Sequence, residues 1–193
     1  MDNLPLLHGN TGGGVIITKS QIQTFTGIGF DPLAPDPNWV DIRDIAHALS
    51  NQCRFSGHIR MFYSVASHSV ACATVEDPSL TDDDRRTLLM HDAAEAYLLD
   101  MPRPLKEAFP QYAEFENRLM EAIAARFKFG WPMTPAQKVV DDRMLFTEKR
   151  DLLQPRDWGY EIEPYPGKVY HVPPTAAENQ FLIAFASLFG ANR

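Results

Sequence analysis

Apolar residues recur along this chain at helical rather than strand spacing. From Asp41 onward, Ile42, Ile45, Ala46 and Leu49 form one helical stripe. The run FYSVASHSVACATV predicts a second helix, closed by Asp77-Pro78. Thr81 is placed to cap a third, with Asp82, Asp83 and Asp84 in its first turn, where the helix dipole favours acids. That helix is expected to continue through HDAAEAYL and to break at Pro102. Phe115, Leu119, Ile123 and Phe127 mark a fourth over 112–127, and Tyr112, Phe115 and Phe127 are expected in the core. Thr134-Pro135 opens a fifth, with proline at the first helical position; it carries Val139, Val140, Met144 and Leu145 and ends near Leu153. Thr175-Ala-Ala-Glu178 reads as a capping box before a last helix with Phe181, Phe185 and Leu188 on its apolar face.

Little is left for a sheet. Ile22 to Phe30 alternates weakly and predicts a short strand or hairpin arm before the turn-rich DPLAPDPN. Residues 154–174 read as a proline- and aromatic-rich loop, with a short strand at Lys168 to Val172. Residues 1–20 are expected to be a flexible extension; Gly12-Gly13-Gly14 lacks the Gly-Lys-Ser/Thr of a phosphate loop. The expected fold is all-α: a compact helical bundle formed by residues 21–193 as a single domain, with at most a short β hairpin near the N-terminus.

Composition narrows the function. With 193 residues, 45% of them apolar and 22% charged, the chain can bury one real core. A net charge of −7 argues against a broad nucleic-acid or membrane surface, but not against a small basic pocket for a phosphate. Cys53 and Cys72 are the only cysteines, too few for a disulfide framework or a zinc knuckle. No run is long enough to span a bilayer and no secretion signal is present, so a cytoplasmic protein is expected.

The unusual stretch is MHDAAEAYLLDMP, Met90 to Pro102. An apolar run leads straight into His91-Asp92, Glu95 follows a turn later, and Asp100 precedes a Pro-Arg-Pro loop. Charge at the end of a core helix is costly unless it is paired or metal-bound. His91 and Asp92 could ligate one cation, with Glu95 a turn away to handle a proton. The His-Glu-x-x-His pattern of zinc proteases fails, because Glu95 stands where its second histidine would be. A Gly-x-Ser-x-Gly nucleophile elbow is also missing. His68 lies mid-helix among small residues that admit a neighbouring helix. Asp141-Asp142 interrupts an apolar stripe directly after Val139-Val140. His68, His91, Asp92 and one of these aspartates would give a two-histidine, two-carboxylate site suited to Mn, Co, Fe, Zn or Ni, with Mg also open.

This order of residues resembles the HD-domain metal-dependent phosphohydrolases. The segments TFTG, DIAHALSNQCRFSGH, FYSVASHSV, HDAAEAYLLDMPRPLK and TEKRDL are similar to the small bacterial and phage 5′-nucleotidase branch, the YfbR and YfdR types. The resemblance implies an all-α fold, one divalent metal and a nucleotide substrate. It assigns His68, His91, Asp92 and Asp141 as ligands, preferring Asp141 to Asp142 by its distance from TEKRDL. It makes Glu95 the catalytic acid/base and Arg54 the phosphate anchor. Phe55 would line the sugar, where tryptophan is frequent, and Asp100 would sit near the sugar hydroxyls. Leu99 stands where glycine usually precedes that aspartate. Lys106 is a further candidate for steering phosphate.

The implied reaction is removal of the 5′-phosphate from (deoxy)nucleoside monophosphates by a metal-activated water. A phage-type dNTP triphosphohydrolase is the alternative, and a non-catalytic nucleotide-binding protein a weaker one. HD-fold di-iron oxygenases and two-metal phosphodiesterases need more histidines, and residues 93–140 contain none. The resemblance also implies a homodimer. His47 and His58 are expected to bond locally or rim the pocket, and Glu148-Lys149-Arg150-Asp151 to be a salt-bridged helix end.

Overall fold

A computed structural model describes residues 17–190. The expected extension therefore falls almost wholly outside the described residues. The chain enters through an antiparallel hairpin, β1 (Ile22–Gln23) and β2 (Gly29–Phe30), with Ile22 opposite Phe30. Its turn is fastened to the first helix: the backbone N–H and hydroxyl of Thr26 donate to the two oxygens of buried Asp44, at 2.7 and 2.9 Å.

Helices follow: α1 (Ile42–Asn51), α2 (Val65–Thr74), α3 (Asp82–Met90), α4 (Glu95–Leu98), α5 (Arg103–Ala108), α6 (Pro110–Phe127), α7 (Pro135–Leu152) and α8 (Pro174–Phe189). The all-α fold with one short hairpin is as the sequence suggests. At the centre is α2, which packs against α1, α3, α7 and α8. It is buried around most of its circumference, including Val65, Ala66, Ser67, His68, Ser69, Cys72 and Ala73. Its small side chains permit those close approaches, and its polar residues are thereby carried into the interior. Ser64 caps it by accepting from the Ser67 N–H.

Several expected boundaries shift for physical reasons. The third helix does not run through to Pro102. It ends at Met90, and residues 91–97 continue in tighter i→i−3 bonds, such as Ala93 to Met90 and Glu95 to Asp92. The Pro-Arg-Pro read as loop instead opens the short helix α5, with Pro102 as its N-cap. The Thr175 capping box is not made: the N-cap lies two residues earlier, at Pro173, without a side-chain cap, and α8 starts at Pro174. No strand forms at 168–172. That backbone is hung on side chains instead: Asp151 accepts from Val169 N–H, and Arg150 donates to the carbonyls of Tyr165 and Gly167. Phe127 is in the core, Phe115 and Tyr112 are half-buried, and Val139 is exposed. Among the described residues no helix is long and apolar enough to cross a membrane.

Phe181 is fully buried on α8, whereas Ile183 on the same helix is 70% exposed. Phe181→Ala should therefore lower the unfolding free energy in urea titrations by about 3–5 kcal/mol. Ile183→Ala should change it by no more than about 0.5 kcal/mol.

Candidate metal centre

Three segments meet at one point. His68 comes from α2, His91 and Asp92 from the tightened turn after α3, and Asp141 from α7. His68 Nε2 lies 3.2 Å from His91 Nε2 and 3.2 Å from Asp141 Oδ1. Asp92 Oδ2 is 3.3 Å from His91 Nε2 and 3.7 Å from His68 Nε2, and His91 Nε2 is 3.7 Å from Asp141 Oδ1. With metal–ligand bonds of about 2.0–2.2 Å, donor–donor edges run about 3 Å in an octahedron and about 3.5 Å in a tetrahedron. His68, His91 and Asp141 belong to a group close enough to hold one metal ion, and Asp92 Oδ2 approaches both imidazoles at comparable spacing. Of the two aspartates, Asp141 faces the imidazoles; Asp142 instead faces Lys138 and Arg103.

The histidine tautomers are set from behind. His91 Nδ1 donates to the Leu88 carbonyl at 2.7 Å, and His68 Nδ1 is 2.7 Å from Glu148 Oε1. With both Nδ1 protons engaged, both neutral rings point an Nε2 lone pair into the same space. Such carboxylate and carbonyl partners orient and strengthen histidine ligands. The cluster also demands positive charge. Burial and Arg54 press the His68 imidazolium down, yet Cys72, Glu148 and Asp141 carry it well above its ordinary value. Burial opposes the Asp141 carboxylate, but bonds from His68 and His91 hold it well below the carboxylate range. In the absence of a cation, protons take its place; a divalent ion would displace them.

Glu148 corrects the sequence reading. Expected in a salt-bridged helix end, it is instead fully buried, and its pairs reach across the fold to His68 and Arg54. A signal existed: Glu148 lies seven residues after Asp141, two turns along the same face of α7. Arg150 and Asp151 do pair with each other as expected. Arg54 Nε donates to Glu148 Oε2 at 2.9 Å, and its terminal nitrogen is 3.6 Å from Asp92 Oδ2.

A cavity of about 970 Å³ opens onto this cluster. Arg54, Phe55, His58, His91, Asp92, Glu95, Asp100, Lys106 and Asp141 all line it; His47 does not, bonding Glu178 elsewhere. Glu95 is buried; one oxygen is 3.3 Å from Lys106 Nζ and the other has no partner. Burial, Asp92 and Asp100 together raise its carboxyl well above the usual 4.5, against Lys106 and Arg54. The i→i−3 bond from Glu95 to Asp92 turns these two side chains toward the same side, more nearly eclipsed than in a regular α-helix. Lys106 is tied to Glu95 and Glu116 rather than solvated.

Gln52 was not anticipated. Its amide donates to the Glu95 carbonyl at 2.9 Å and its oxygen accepts from the Asp100 N–H at 3.1 Å, clamping both ends of the turn. Between them Leu99 adopts φ 74° and ψ 155°, a conformation suited to glycine. Tyr112 Oη holds it by donating toward the Leu98 and Leu99 carbonyls. Phe55 is also left-handed, at φ 56°.

A helical bundle with a buried histidine–aspartate cluster capable of holding a metal ion is the class these features define. No protein-family model matches the chain. It is 43% identical over 137 residues to the uncharacterised protein YfdR of Escherichia coli strain K12, covering 69% of this chain and 72% of YfdR. It is 36% identical over 108 residues to an uncharacterised protein of Rhodobacter capsulatus, covering 53% of this chain and 55% of that protein. The chain belongs to the family that includes YfdR.

Two outcomes follow from the supports of the cluster. Glu148→Gln keeps an acceptor for His68 but removes the charge, and should weaken divalent-metal binding about tenfold to a hundredfold in chelator competition. Leu99→Gly relieves the backbone and should raise the unfolding free energy by about 1 kcal/mol in urea, net of glycine's greater chain entropy.

Proposed function

We propose that this chain is an HD-domain metal-dependent phosphohydrolase that removes the 5′-phosphate from nucleoside monophosphates. The observation that carries the reading is the meeting of His68, His91, Asp92 and Asp141 at the floor of a cavity that also holds Arg54 and Glu95. The donor set fits one divalent ion, which when bound supplies Lewis acidity to water and to a phosphoryl oxygen. His68, His91, Asp92 and Asp141 would hold it.

The chain's own groups do the rest. Arg54, fixed through Nε by Glu148 and with one terminal nitrogen 3.6 Å from Asp92, would offer its planar fork to phosphoryl oxygens. Glu95, with one unpartnered oxygen, takes the proton of the attacking water as the P–O5′ bond breaks, and the leaving oxygen is protonated in turn. Lys106 is bonded to Glu95 and holds that carboxylate in place. Phe55 and Asp100, both lining the cavity, would meet the sugar.

Arg103 and Lys138 also line the cavity and give the triphosphate reading its support. Lys138, however, is already bonded to Asp141 and Asp142, and Lys106 to Glu95 and Glu116. Few uncommitted cations remain for a polyphosphate tail, which favours the monophosphate.

The test is a screen of nucleoside mono-, di- and triphosphates with Mn, Co, Zn, Ni and Mg, identifying the products. Inorganic phosphate from monophosphates is expected; release of intact triphosphate would establish the alternative. Glu95→Ala should lower the rate by about 10²–10⁴-fold while bound metal stays unchanged. As the base, Glu95 works deprotonated. The rate should therefore fall as pH drops through a value above the usual glutamate 4.5, and that limb should vanish in Glu95→Ala.

A further inference from the structure

Beyond the cluster, one wall of the cavity is aromatic. Leu145 lies four residues after Asp141 on the same face of α7, about 6 Å further along its axis, and both line the cavity. Leu153, Trp158 and Tyr160 line it too. Phe146, buried on α7, meets Trp158 and Tyr160 edge-on, with ring centroids 5.6 and 5.3 Å away. Lys149 Nζ lies over the Trp158 ring, 4.6 Å from its centroid, and 4.8 Å from that of Phe146. Phe146 and Lys149 do not themselves line the cavity. They support the two rings from behind and leave them presented to it.

The backbone carrying the pair is shaped for it. Asp157 Oδ1 accepts from the Gly159 N–H at 2.7 Å, and Gly159 takes φ 77°, in the left-handed region that favours glycine. Trp158 and Tyr160, on either side of it, both return to Phe146. The same flank adjoins Phe55. The Arg60 N–H donates to the Leu152 carbonyl at 3.0 Å, and the Arg60 guanidinium donates to the Leu153 carbonyl, joining the segment after Phe55 to the end of α7. Trp131, on the α6 side of the cavity, is committed differently: its indole N–H donates to Asn117 at 3.0 Å and it packs against the core.

We propose that Trp158 and Tyr160 form the subsite for the nucleobase, with Trp158 as its stacking platform. An aromatic wall one helical turn from Asp141, on the flank that carries Phe55, suits a flat heterocycle and neither a phosphate nor a sugar. Stacking uses the π-face that every base presents, so the subsite accepts any base. The proposal rests on the phosphohydrolase reading above and adds what separates a nucleotide from a simple sugar phosphate.

Adenosine 5′-monophosphate and ribose 5-phosphate are compared as substrates of the full chain with Mn²⁺ or Co²⁺. In Trp158→Ala the KM for the nucleotide should rise about fivefold to a hundredfold, with kcat changed by less than about threefold. The preference for the nucleotide over ribose 5-phosphate should shrink by the same factor, and Trp158→Phe should restore most of it. Trp158→Leu fills the space without a π-face and should lose the preference as Trp158→Ala does, so the result stands even if the alanine variant folds poorly. Tyr170→Ala, in the same loop but 68% exposed and away from the cavity, should change neither substrate. Equal losses on both substrates in the Trp158 variants, or no loss on either, overturn the subsite and leave the phosphohydrolase reading intact. If the wild type hydrolyses neither compound, that reading fails. The subsite then stands only if calorimetry shows the nucleotide binding to the metal-loaded protein and Trp158→Leu weakening it by the same factor; without such binding it falls as well.

Discussion

The structure depends on two imidazole lone pairs held face to face in the interior. His68 and His91 Nε2 sit 3.2 Å apart, a separation that needs a proton or a cation between them. Neither ring can turn away. Leu88's carbonyl holds one Nδ1 and the Glu148 carboxylate the other, at 2.7 Å each. Asp92 and Asp141 add negative charge on the cavity side. Every neighbouring choice follows from keeping this cluster oriented and neutralised in low dielectric, where an unpaired charge is costly.

The cluster explains why α2 lies at the centre of the bundle. Its small residues let α1, α3, α7 and α8 approach, and that closeness allows histidines on separate helices to meet. Glu148 joins the cluster to the cavity wall, because the same carboxylate orients His68 and fixes Arg54. The candidate metal ligand His68 and the cavity-lining Arg54 thus share one support. Across the cavity, the turn bearing Glu95 and Asp100 is pinned by Gln52 and Tyr112 around a strained Leu99. Backbone strain beside a site of this kind is tolerated where the surroundings over-determine it.

Much of this was legible beforehand. Helical periodicity placed the principal helices, and Thr81 and Thr134 cap as their sequences suggest. His-Asp at the end of an apolar run announced the cluster, the small residues around His68 offered a second histidine, and the resemblance to HD-domain proteins selected Asp141 over Asp142. The misreadings have a common origin. HDAAEAYL has helical composition, yet it tightens after Met90, turning Glu95 and Asp92 to the same side. Glu148 sits in a charged run that looks solvated until α7 is packed against α2.

By itself, the sequence determined which faces are apolar, where most helices begin, and which donor types are present, because these are local properties of period and side-chain chemistry. Only the tertiary structure decided that Glu148 is buried, that Cys72 borders the cluster, that Gln52 clamps the Glu95 turn and that Leu99 is left-handed. Those facts depend on which helix faces which, and a pattern along one chain segment does not carry the identity of its neighbours.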